Sequence, residues 1–163
     1  MKALARLTVF GCCAWLGQAM AEEKNGLMVT VAKKTLDRAD QKSGYYTYQK
    51  IDRTQGLKVT IKNNSFKEMP AGEVEWTILV RRHNYSGAPA KSNGKEALKA
   101  LKPAETVDMV IGAAQITGWK DWYDYAKDKL DHQVIVRQGT QEMMRINSTP
   151  AMDALIKQTA PHP

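Results

Sequence analysis

Cysteine is nearly absent from this chain. Among its 163 residues only Cys12 and Cys13 carry a thiol, and both fall in an N-terminal stretch that reads as a leader. The remainder therefore predicts no disulfide, no thiolate metal site and no cysteine nucleophile. Histidine is scarce too. His83, His132 and His162 share no ligand-like spacing, so no metal is expected. His83 and His132 are expected at strand ends near solvent, and His162 in a frayed tail. There is no G-x-S-x-G elbow and no glycine-rich phosphate loop. The sequence thus predicts no catalytic residue, no cofactor and no enzyme. Long apolar runs are missing as well, and neither an internal repeat nor a low-complexity stretch is present.

The one compact apolar stretch, Leu7–Leu16, is too short to span a bilayer. Lys2 and Arg6 precede it, Ala19-Met20-Ala21 has the small-x-small form of a cleavage site, and Glu22-Glu23-Lys24-Asn25 follows. This is the order of a secretory signal peptide. Residues 1–21 are expected to be removed, leaving 22–163 as a single domain without a transmembrane anchor. Val9-Phe10-Gly11-Cys12 falls short of a lipobox because Phe10 is too bulky and the apolar run before it too short. Export places the protein in the periplasm, on the outer-membrane surface or outside the cell. A small exported domain without disulfides points to a bacterial source.

Charge is unbalanced: 24 Lys+Arg stand against 17 Asp+Glu, a net of +7. Lys2 and Arg6 leave with the leader, so 22 basic residues face 17 acidic ones, a net of +5. That balance favours anionic partners such as acidic glycans. The basic residues are spread along the chain rather than clustered, so nucleic acid is not expected.

What the mature sequence does have is alternation. Leu27, Val29 and Val31 alternate with Met28, Thr30 and Ala32. Leu57, Val59 and Ile61 alternate with Lys58, Thr60 and Lys62, and Asn63-Asn64-Ser65 ends that run with turn residues. In Glu73–Arg82, Val74, Trp76, Ile78 and Val80 share one face. Thr106–Ile111, His132–Arg137 and Gln141–Asn147 complete the set, the last two joined by Gln138-Gly139-Thr140 as a hairpin. Breaks are expected at 84–89, at Ser92-Asn93-Gly94 and at Leu101–Glu105. Thr117–Leu130 reads as a loop with a helical turn or two near Trp122–Leu130. At the C-terminus, Thr149 is the expected N-cap and Pro150 the first helical residue. Met152, Leu155, Ile156 and Thr159 share a face there. The pattern predicts an all-β, immunoglobulin-like β-sandwich of about seven strands with a short C-terminal α-helix, Trp76 taking the core tryptophan position.

Three features bear on function. Trp119, Trp122, Tyr123 and Tyr125 crowd into seven residues, and Tyr45, Tyr46 and Tyr48 into four. The first group is the candidate ligand or partner contact, since exposed aromatics stack on sugar rings or anchor a protein partner. The alternative is packing over the sandwich's open end. Asp121, Asp124, Asp128 and Asp131 form an acidic row interleaved with lysines, expected as a solvated face. Asn63, Asn84 and Asn147 each begin an N-glycosylation pattern, which matters only on a eukaryotic route.

The stretches GLKVTIKNNS, EVEWTILVRR, LKPAETV and VIVRQGTQEMMRINSTPAMDAL, between Gly56 and Leu155, resemble small exported immunoglobulin-like proteins of mucin-degrading gut bacteria. Some of that group are encoded with type IV pilus-like genes. The resemblance implies a non-catalytic, pilus- or envelope-associated interaction module with a protein partner in the envelope or pilus apparatus. A pilin-type N-terminal helix is missing. The other reading is a glycan-binding module using the exposed aromatics.

Overall fold

Alternation of apolar and polar residues builds two antiparallel sheets whose apolar faces meet. The computed structural model describes residues 19–42, 49–84, 86–121 and 123–159. Most of the leader, Tyr45, Tyr46, Tyr48, Trp122 and His162 lie outside the described residues. The elements are β1 (Met20–Lys24), β2 (Leu27–Arg38), β3 (Gln41–Lys42), β4 (Gln49–Asn63), β5 (Gly72–Arg81), β6 (Ala90–Leu98), β7 (Thr106–Lys120), β8 (Tyr125–Lys127), β9 (Lys129–Gln138), β10 (Gln141–Asn147) and α1 (Met152–Gln158). One sheet runs β1-β2-β4-β7-β8 with β3 beside β4, and the other runs β10-β9-β5-β6. The seven principal strands, β2-β4-β7 over β10-β9-β5-β6, give the immunoglobulin-like order. The expected cut after Ala21 falls inside β1, after the pairs Met20–Val31 and Ala21–Thr30.

The core lies between the sheets. Leu27, Val29 and Val31 of β2, and Leu57, Val59 and Ile61 of β4, are buried against Val74, Ile78 and Val80 of β5 and Val134 and Val136 of β9. Trp76 packs on this cluster half-buried, as the inward parity of β5 requires. A Cβ at Gly94 would meet its Cζ2 at 2.6 Å, so the glycine is what lets the indole lie across β6. This explains one departure from expectation. Ser92-Asn93-Gly94 is no break but the middle of β6, because Gly94 serves packing rather than a turn.

Other expectations are corrected. Thr117–Leu130 has no helical turn among the described residues: β7 runs on to Lys120, β8 doubles back, and β9 starts at Lys129. Thr149 is not the N-cap; the helix starts later, with Ala151 as N-cap and no side-chain cap. His132 is not near solvent but 2% exposed, on the inward face with Val134 and Val136. The acidic row is not one solvated face, since Asp128 and Asp131 are buried. The amide of Asn63 is buried too, donating to the carbonyls of Lys67 (2.8 Å) and Leu101 (2.9 Å), so it is closed to modification.

β4 fixes the long dimension. Its 15 residues reach roughly 50 Å at ~3.3 Å each. One end is Asn63. The other, with the end of β7, runs past the level where β5 stops; no strand of the second sheet is described over it, and Ile51 and Gly118 there are nonetheless buried.

Candidate functional site

This end of β4 carries the site. Asp121 makes the β7–β8 turn, its Oδ1 accepting the backbone N–H groups of Tyr123 (2.8 Å) and Asp124 (2.6 Å). Register then sets direction. Lys120 pairs with Tyr125, Trp119 with Ala126 and Gly118 with Lys127. Directly opposed residues share a face. Tyr125 and Lys127 therefore stand with Gly118 and Lys120, while Trp119 lies on the opposite face. Tyr123, at the turn, is 94% exposed and Tyr125 50%. Trp119 is half-buried. Of the four candidate aromatics, the described ones thus do not form one flat platform: Tyr125 faces the hollows below, Tyr123 the tip and Trp119 the other side.

Tyr125 stands on the shared rim of two basic hollows. The larger, about 590 Å³, is lined by Lys33, His83, Tyr125, Lys127 and Lys129, together with Thr35 and Gln55. The second, about 420 Å³, is lined by Arg38, Gln49, Arg53, Lys120 and the same Tyr125. Lys127 Nζ sits 5.5 Å from the Tyr125 ring centroid, within cation–π range.

Lys33 continues the inward parity of Val29 and Val31 to the point where the core ends. Its stem is exposed, yet its ammonium tucks in to donate to the Leu130 carbonyl at 2.6 Å. Burial of that ammonium lowers its pKa. Asp131 opposes the shift, and Lys127 and Lys129 add to it. Three lysine heads thus crowd one concavity, and each is better held when an anion lies between them.

Two buried carboxylates hold the frame. Asp128 accepts from Thr117 N–H (2.9 Å) and Oγ1 (3.0 Å), His83 N–H (3.1 Å), and Arg82 Nη1 (2.5 Å), and lies 2.9 Å from His83 Nδ1. Burial alone would raise its pKa. The hydrogen bonds from Thr117, His83 and Arg82 outweigh it and hold the carboxyl well below the usual range. This knot ties the end of β7 to the segment after β5. Asp40 does the same for the second hollow. It accepts from Arg53 Nε (3.0 Å), Arg38 Nε (2.7 Å) and Asp52 N–H (3.2 Å). The Arg53 guanidinium, against the opposing effect of burial, holds its carboxyl well below the usual range.

The arrangement can bind an anion and stack a ring. Asp128 orients His83 as a carboxylate orients a general base, but among the described residues no hydroxyl or thiol bonds to that imidazole. No group of three or more His, Cys, Asp or Glu among the described residues could hold a metal ion. No described helix is long and apolar enough to cross a membrane. Sequence reasoning found Tyr125 but missed Lys33, Arg38, Asp40, Arg53, Lys127 and Lys129. Their convergence depends on the β2–β4 and β4–β7 registers, and no local motif carries it.

No family model matches the chain, and no curated protein matches it. Two solved structures are similar over 72% of this chain and 12% of theirs, at 12% identity. One is the Bacteroides uniformis β-glucuronidase, with a TM-score of 0.39. The other is the B. uniformis β-glucuronidase 2 covalently bound to cyclophellitol-6-carboxylate aziridine, with a TM-score of 0.38. The chain spans only that small part of those proteins, and likeness at this level supports no inference about what it does.

Proposed function

We propose that the protein is an exported, non-catalytic binding module that takes an acidic glycan at the β7–β8 end of the sandwich. One observation carries the reading: an exposed Tyr125 stands between two basic hollows. A sugar ring stacked on the phenol would direct carboxylate or sulfate groups to Lys33, Lys127 and Lys129 on one side. On the other, Arg38 and Lys120 receive them. The signal-peptide pattern supports an extracytoplasmic setting. Charge without a clustered basic motif supports glycan over nucleic acid.

The test is a titration of the exported protein with a sulfated or carboxylated oligosaccharide and with its neutral counterpart. We expect binding of the acidic form only, weakened by salt. Lys127→Ala/Lys129→Ala and Tyr125→Ala should each weaken it about tenfold or more at unchanged melting temperature. Equal binding of the neutral sugar, or unaltered binding in these variants, contradicts the reading. A protein partner from a pilus or the envelope would then take its place. The surface for that second reading is β6, the terminal strand of its sheet, whose outer edge has no strand beside it among the described residues.

A further inference from the structure

The opposite end of β4 presents a different chemistry. Asn63 closes β4, and its buried side chain staples the next loop. Nδ2 donates to the carbonyls of Lys67 and Leu101, and Oδ1 accepts the Ser65 N–H (3.0 Å) and hydroxyl (2.6 Å). Asn64 N–H donates to Gly26 O at 2.6 Å, and Met69 bridges to Leu101. The loop is therefore fixed at both ends, and Phe66 at its crest is 100% exposed.

Its surroundings are cationic rather than apolar. Lys67 adjoins it, Lys62 precedes Asn63 in β4, Lys24 flanks the turn that Asn64 contacts, and Lys102 belongs to the loop bonded to Asn63. Lys99 is tied to Glu105 at 2.7 Å. Glu105 also feels the Lys102 charge, Glu142 feels that of Lys24, and Glu68 and Glu23 stand next to Lys67 and Lys24 in sequence. The other exposed large apolar side chains, Met20, Leu36, Val110, Tyr123 and Tyr125, belong to strands or to the β7–β8 turn and not to these loops.

We propose that Phe66 is a membrane-contact anchor, inserting at the headgroup level of an anionic lipid surface while Lys24, Lys62, Lys67 and Lys102 lie over the headgroups. A protein hot spot lies in a cluster of packed contacts that exclude water, and no other large apolar side chain stands exposed in these loops among the described residues. A lone aromatic within a collar of lysines meets instead the two requirements of reversible lipid contact: buried apolar area and attraction to anionic headgroups. The inference does not depend on the glycan reading. With Phe66 seated, the basic hollows lie at the far end of β4 and face away from the lipid.

Co-sedimentation with vesicles of phosphatidylcholine, and of phosphatidylcholine mixed with phosphatidylglycerol, tests it. The exported protein is used, its N-terminus read by intact mass and expected at Glu22. Binding is expected to the anionic vesicles only and to fall with added salt. Phe66→Ala should weaken it about tenfold, Phe66→Leu should restore most of it, and both should melt with the parent because Asn63 holds the loop. Failure of the parent to bind anionic vesicles would overturn the proposal. So would equal binding by Phe66→Ala, or a loss that follows Lys127→Ala/Lys129→Ala instead, which would assign lipid contact to the other end. A protein that binds through Phe66 while vesicles do not would also overturn it.

Discussion

At the scale of the residue, His132 is the side chain most at odds with its surroundings. It is 2% exposed, and neither ring nitrogen has a partner among the described residues. Burial, with the nearby Lys33 ammonium, lowers its pKa to about 4, Asp131 opposing. The native state thus holds a neutral imidazole where the unfolded chain would bind a proton below its ordinary value of 6.5. Between these values the unfolded state carries the extra proton, so stability must fall as pH falls, by up to ~1.4 kcal/mol per pH unit. The lowered carboxylates act later: Glu75 and Glu142 lose their contribution below about 4.5, Asp40 and Asp128 below about 3.8. The window from pH 6.5 to 4.5 therefore belongs to His132 among the groups with a resolved shift. His132→Leu should flatten the melting temperature across that window without lowering it at pH 7. An unchanged slope in the variant would contradict this. The sequence does place His132 inward, in step with Val134 and Val136, so its burial was legible from parity. Its polar type argued for solvent, and parity is the signal that prevailed.

At the scale of the element, legibility followed burial. Alternation appears where one face of a strand is covered, and there β2, β4, β5, β7 and β10 read directly from the residues; β9, buried on both faces, reads through its β-branched run Val134-Ile135-Val136. Past the end of β5 the inward face of β7 and β8 carries the exposed Lys120, Tyr125 and Lys127. Nothing then selects apolar residues at every second position, and Thr117–Leu130 looks like a loop with charges and aromatics. The same cause hid the basic hollows, whose residues come from β2, β4, β7, β8 and β9. Where the inner face is covered, Trp76 closes the gap between β5 and β6 over Gly94. Trp76→Ala leaves that slot empty beside the core, and should cost ~3 kcal/mol, as large-to-small core changes do. Chemical denaturation should show a lower midpoint at an unchanged slope. A midpoint equal to the parent's would mean that the half-exposed indole contributes nothing to holding the sheets together.

At the scale of the whole molecule, the extended β4 separates two unlike ends. One is a concave, basic end framed by Asp40 and Asp128, and the other a convex end crowned by Phe66. The sandwich between them holds the hairpin and the staple in fixed relation, which a binding module needs more than it needs mobile chemistry. A titration of isotope-labelled protein with an acidic oligosaccharide, followed by backbone amide shifts, bears most directly on where the ligand sits. The account predicts perturbations confined to the ends of β2, β4 and β7 and to β8, around Lys33, Arg53 and Tyr125, with none at residues 63–69. Perturbations centred on residues 63–69, or along β6, would contradict it.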